Sequence, residues 1–64
     1  MLVYFTDAVT KQSVAINPTY VCCVFVAQDG ELKGKTVIAL TSGTVIVEED
    51  QTNVVGVIQG QLWV

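Results

Sequence analysis

Uncharged segments rich in valine, isoleucine and aromatic residues alternate along this chain with short polar segments. Such spacing is typical of short β-strands joined by turns. The pattern predicts five strands, at residues 2–6, 13–16, 20–28, 35–40 and 44–48. Because every connection between them is short, neighbouring strands are expected to be antiparallel.

The polar segments contain residues that suit tight turns. Pro18 has a fixed φ and no N–H to donate, and it disfavours helical backbone at Asn17, so residues 17–20 should break the chain between two strands. Residues 29–34 contain two glycines and predict a wide hairpin loop. Residues 41–43 predict a three-residue hairpin loop, with Gly43 where a positive φ is usual.

The segment 50–60 is ambiguous when only its residues are considered. Asp50 is a suitable helix cap and Gly60 a suitable stop. One helical face would contain Val54, Val55, Ile58 and Leu62. Against a helix, Thr, Asn, Val and Gly are poor helix formers. The periodicity alone favours neither helix nor strand.

Three consecutive predicted strands are apolar on both faces. In the fourth strand Ile38 and Leu40 point one way and Val37 and Ala39 the other. Strict alternation in the third strand predicts Val21 and Phe25 on the same face. An antiparallel sheet usually has one polar face, and one short helix covers only part of a second face. The sheet could close into a tight barrel, the helix and termini could cover much of one side, or another chain could cover the rest; the low charge of the chain favours the last.

Composition supports association and argues against several functions. The chain has 64 residues, enough for a single domain over 1–64, and only 14% of them are charged. A domain of this size buries roughly 60% of its unfolded surface and commonly needs oligomerisation for stability. The net charge is −3 with three lysines and no arginine, so nucleic-acid binding is not expected. No apolar run is long enough to cross a membrane and no basic leader is present, so a cytoplasmic location is expected.

Several segments resemble the flagellar FlbD family of small proteins, and similar small bacteriophage proteins. The segments are "MLVYFT" at the start, "VAINPTYV" at 14–21, "TVIALTSGTVIVEED" at 36–50 and the valine-rich stretch 54–58. The resemblance implies a mainly β (α+β) fold, a small antiparallel five-stranded sheet with one short C-terminal helix that an acidic residue opens. It implies no catalytic residues.

Candidate chemistry is sparse in the sequence. There is no histidine, so the usual general base and commonest metal ligand are missing. Cys22 and Cys23 are adjacent, and alternation in a strand would place them on opposite faces, unable to share a metal. We interpret both as small buried hydrophobic residues. A reactive thiol would need a basic neighbour, and none is close in sequence.

The acidic run Glu48, Glu49 and Asp50 falls where a strand ends and a helix could begin. Carboxylates there favour the positive end of a helix, and Asp50 can cap it. A weak cation site or a partner contact is the alternative.

These features predict a non-enzymatic, cytoplasmic protein-interaction module that forms a homo-oligomer and binds an unknown protein partner. No catalytic residue, cofactor or metal site is predicted. Alternatives are a structural subunit of a larger assembly and, less favoured, a thiol- or metal-dependent protein. Large aromatic residues are enriched in buried interfaces; the predicted interface residues are Tyr4, Phe5, Tyr20, Phe25 and Trp63.

Overall fold

The protein is mainly β, with five antiparallel strands followed by a C-terminal helix, in a computed structural model that describes residues 2–62. The predicted fold class is confirmed. The elements are β1 (Val3–Thr6), β2 (Ser13–Ile16), a 3-10 turn (Pro18–Tyr20), β3 (Val21–Val26), β4 (Thr36–Leu40), β5 (Gly43–Val47) and α1 (Gln51–Leu62).

The strands form two sheets rather than the single sheet that the sequence predicted. One sheet contains β1 and β2, and the other contains β3, β4 and β5 in that order. They meet at a bridge between Asp7 and Val47. Beside it, Ala8 donates its N–H to the Ile46 carbonyl and Glu48 donates to the Thr6 carbonyl, each at 2.8 Å. Because the pairing is confined to this point, the β1–β2 hairpin can fold over the core.

The core lies between the two sheets and α1. Its buried side chains come from every layer: Val3, Phe5 and Ile16 from the two-stranded sheet, Ile38 and Val47 from the three-stranded sheet, and Val54 and Ile58 from α1. The helix and the β1–β2 hairpin therefore share the task of covering one face of the three-stranded sheet. The sequence had predicted β1 and β2 in the same sheet as the other strands, so it did not predict the hairpin as a cover for that face.

A short helical turn separates the two sheets along the chain. The side-chain oxygen of Asn17 accepts a hydrogen bond from the Thr19 N–H at 3.0 Å, and Tyr20 donates its N–H to the Asn17 carbonyl at 3.1 Å. Pro18 is buried at the first position of this turn, where its missing N–H costs nothing. The predicted break between strands is thus confirmed.

The ambiguous final segment is a helix of 12 residues. Asp50 accepts a hydrogen bond from the Asn53 N–H at 2.7 Å through its side chain, and one from the Val54 N–H at 3.0 Å through its carbonyl. These two bonds satisfy groups that a helix start leaves without partners. Val54 and Ile58 are buried, so packing of this face against the core compensates for the low helix propensity. No helix in the described part of the chain is long and apolar enough to cross a membrane.

An irregularity in β3 changes which side chains share a face. Val21 pairs with Leu40, but Cys23 pairs with Ala39, so Cys22 is an extra residue opposite the continuous strand β4. Such a β-bulge reverses the alternation beyond it. Val21 and Val24 both pack against the core. The expectation that Val21 and Phe25 share a face was therefore wrong, because it assumed an unbroken period of two.

Candidate interaction surface

The three-stranded sheet presents a mostly apolar surface on the side away from the core. We call this surface the outer face. The strand register places its side chains in two adjacent rows across the sheet. One row contains Phe25, Val37 and Ile46, and the other contains Cys23, Ala39 and Thr44.

The first row is the more apolar part of the outer face. Phe25 lies on the edge strand and is 47% exposed, whereas Val37 in the centre is only 6% exposed. Ile46 is half-buried. The hydrogen bond from Ala8 to Ile46 brings the buried Ala8 to the far end of this row. The outer face is thus partly covered by its own chain, and Phe25 is its largest exposed hydrophobic side chain.

Charged groups border the outer face on one side. Glu48 forms ion pairs with Lys11 and with Lys35, and Lys35 lies two residues before Val37 on the same side of the sheet. The hydrogen bonds from Lys11 and then Lys35 lower the pKa of Glu48 below its ordinary value of 4.5. The one carboxylate offsets only one of the two lysine charges, so this group of three side chains keeps a net charge of +1 at the border.

The remaining carboxylates of the acidic run have structural roles. Both side-chain oxygens of Glu49 accept the Thr6 N–H, at 2.9 and 3.1 Å, and Asp50 caps α1. Asp7, elsewhere in the chain, accepts N–H bonds from Val9 and Thr10. The hydrogen bond from the backbone N–H of Thr10 lowers the pKa of Asp7 most, and the bond from the Val9 N–H lowers it further. The predicted cap at Asp50 is confirmed; the bonds of Glu48 and Glu49 to distant residues had no signal in the sequence.

The free edge of β3 is partly blocked by glutamine side chains. Gln51 donates its side-chain amide to the Val24 carbonyl at 3.3 Å, and Gln28 donates to the Val26 carbonyl at 2.9 Å. An open strand edge pairs readily with another chain. Because two of its carbonyls already accept hydrogen bonds, the edge of β3 is less available for pairing than the outer face is for packing.

The five predicted interface residues do not form one cluster. Phe25 lies on the outer face. Tyr4 is 67% exposed on the outward side of the two-stranded sheet, and Tyr20 is 56% exposed at the end of the 3-10 turn. Phe5 is 3% exposed and packs into the protein's own core. Trp63 lies outside the described residues.

Both cysteines are exposed and free of disulfides. Their interpretation as small buried residues was wrong. The bulge is the reason, because Val21 and Val24 on either side of the pair turn toward the core, which leaves Cys22 and Cys23 between them directed away from it. The two thiols therefore project from the same side of the sheet, with Cys23 in the second row of the outer face and Cys22 next to it.

Comparison of this chain with models of protein families, with curated proteins and with solved structures gave no match. Within the described residues no cavity forms, and no three His, Cys, Asp or Glu side chains come together. The candidate site is the outer face, which contains Cys23 and has Cys22 next to it.

Proposed function

We propose that this protein is a non-enzymatic, cytoplasmic interaction module that self-associates through its outer face and, as an oligomer, binds a protein partner. The observation that supports this proposal is the exposure of Phe25 at 47% in a row with Val37 and Ile46. Large aromatic residues beside aliphatic ones are the usual centre of a protein interface.

The size of the chain supports the same proposal. Its accessible surface is 4272 Å², and a standard interface buries roughly 800 Å² on each partner. Contact over the outer face and its borders would therefore cover nearly a fifth of the molecule. Burial of apolar area contributes about 25 cal/mol per Å², which is a large contribution for a domain with a core this small.

A second copy of this chain is a suitable occupant of the outer face, because the face carries little charge that would repel that copy. Lys11 and Lys35 are paired with Glu48 at the border, and the two rows within the face contain no charged side chain. The same patch is used on both sides of a two-fold interface. Such a contact would therefore bring Phe25 of each copy against the row of Phe25, Val37 and Ile46 in the other copy.

A structural subunit of a larger assembly is the second candidate function. Tyr4 and Tyr20 are exposed at places separate from the outer face, and contacts between different patches generate rings or open filaments rather than two-fold dimers. The resemblance to the flagellar FlbD family and to small bacteriophage proteins remains a prediction in either case.

Light scattering at micromolar concentration tests the proposal. The wild-type protein should have a mass of at least two chains of 6.9 kDa. Phe25→Glu should lower the mass to that of one chain while the far-ultraviolet circular dichroism spectrum stays that of the wild type. A mass that keeps increasing with concentration would favour the open assembly.

Val57→Glu is the matched control. Val57 is 37% exposed on α1, which packs on the opposite side of the three-stranded sheet from the outer face. The same charge added there should leave the oligomeric mass unchanged. A wild-type mass of one chain across the concentration range, or equal effects of the two substitutions, would reject self-association through the outer face.

A further inference from the structure

Cys22 and Cys23 are brought to the same side of β3 by the bulge between Val21 and Val24. Val21 pairs with Leu40 and Cys23 with Ala39, so the strand gains one residue without gaining a partner. Both thiols are exposed, and their Cα atoms are about 3.8 Å apart because they are joined by one trans peptide bond. A regular strand would have sent them to opposite faces.

We propose that Cys22 and Cys23 form a two-thiolate binding site for a soft metal ion, and that the ion is Cu(I). Thiolate ligands select soft ions, among which are Cu(I) and zinc. Zinc in structural sites takes four ligands. Within residues 2–62 no group of three or more His, Cys, Asp or Glu side chains comes together, so four zinc ligands are not available in one chain. Cu(I), in contrast, is stable with two thiolate ligands.

Binding requires no redox partner. Each thiol loses its proton to solvent as its sulfur bonds to the ion, so two protons are released for each Cu(I) bound and no electron is transferred. Both residues are exposed in the single chain, so the ion reaches them there without opening the fold. Titration of Phe25→Glu, described below, tests the site without the proposed contact over the outer face. The cytoplasmic location proposed above would keep the thiols reduced and available.

Competition with a chromophoric Cu(I) chelator under anaerobic conditions tests the site in the reduced protein. The wild type should bind one Cu(I) per chain, with ultraviolet absorption from thiolate-to-metal charge transfer. Loss of a residue that merely supports a ligand costs about 10- to 100-fold in metal affinity. Cys22→Ser removes a ligand itself and should weaken binding by at least tenfold.

The decisive comparison is a variant that keeps two exposed thiols but separates them. Ala15 is exposed on β2, in the other sheet, so Cys22→Ser combined with Ala15→Cys gives two distant thiols. This variant should bind as weakly as Cys22→Ser alone. Affinity equal to the wild type would overturn the proposal, because it would show that any two thiols suffice.

Stoichiometry separates this inference from the proposed self-association. The same titration in Phe25→Glu should give one Cu(I) per chain, since the site needs only one copy. One ion for every two chains in that variant would show that the ion is bridged between molecules and would overturn the single-chain site. Failure of Phe25→Glu to change the mass would reject the outer-face interface and leave the metal result standing.

Discussion

Glu49 accepts the backbone N–H of Thr6 through both of its side-chain oxygens, at 2.9 and 3.1 Å, although the two residues are 43 positions apart. The neighbouring Glu48 donates its own N–H to the Thr6 carbonyl at 2.8 Å. Thr6 is thus held on both its backbone groups at the point where β1 meets the end of β5. These bonds fasten the two-stranded sheet to the rest of the protein.

Glu49→Ala should destabilise the fold by about 1–2 kcal/mol, because the Thr6 N–H would lose a charged acceptor in a partly buried position. Urea unfolding followed by circular dichroism measures this free energy. Glu49→Gln is the control, since its amide oxygen can still accept the bond and the loss should be smaller. Equal stability of the wild type and Glu49→Ala would mean that water replaces the carboxylate without cost.

Glu48 should make the stability of the protein depend on pH in the acid range. Its pKa in the folded protein lies below the ordinary value of 4.5 because of the Lys11 and Lys35 hydrogen bonds. The stabilisation is therefore present above pH 4.5 and is lost as the pH falls through the lower folded value. The melting temperature of Glu48→Gln should fall less than that of the wild type over this pH range. It should also increase less than that of the wild type when the salt concentration is lowered. An identical pH profile in Glu48→Gln would contradict the ion pairs.

Asp50→Ala should cost on the order of 1 kcal/mol because the Asn53 N–H would lose its cap. Asp50→Ser is the matched variant, since serine caps about as well as aspartate. Chemical denaturation of the three proteins should place Asp50→Ser near the wild type and Asp50→Ala below it. If Asp50→Ser and Asp50→Ala are equally unstable, the effect comes from the lost charge at the helix start rather than from the cap.

Gly56→Ala should stabilise the protein by roughly 0.5–1 kcal/mol. Gly56 is exposed within α1, and an added Cβ would meet no other atom within 4 Å. Alanine also restricts the unfolded chain more than glycine does. The melting temperature should therefore rise. Gly43→Ala is the contrasting change. Gly43 begins β5 at φ 156°, where an L side chain is strained, so the melting temperature of Gly43→Ala should be below that of the wild type.

Thr36→Val should stabilise the fold by about 1 kcal/mol or more. Thr36 is 1% exposed in β4, and its hydroxyl has no hydrogen-bond partner among the described residues. Valine has nearly the same shape and removes the desolvated oxygen. Thr36→Ser keeps the hydroxyl and loses a methyl group, so it should be less stable than the wild type. A destabilised Thr36→Val would show that the hydroxyl has a partner, such as a buried water.

The sequence alone determined the local elements of this protein, because they depend on neighbouring residues. Turn chemistry located the break at Asn17–Pro18, and the side chain of Asp50 suited a cap. It also located the turn between β4 and β5, although the predicted loop 41–43 is one residue too long, because Gly43 already begins β5 and pairs with Leu40. Alternation of apolar residues located the strands. In β4, Ile38 and Leu40 face the core, and Val37 and Ala39 are on the other face of the sheet. A helix at the C-terminus was favoured only by the family resemblance, since its propensities and periodicity were balanced.

Tertiary structure decided which surfaces are buried and which side chains meet. The bulge at Cys22 has no local signal: it arises from matching β3 to β4, and it turned both thiols outward and moved Val21 to the face of Val24. Phe5 is buried because the β1–β2 hairpin folds over the core, and Glu49 finds Thr6 because β1 touches β5 at one point. These relationships depend on contacts between residues distant in sequence, which periodicity and propensity do not encode.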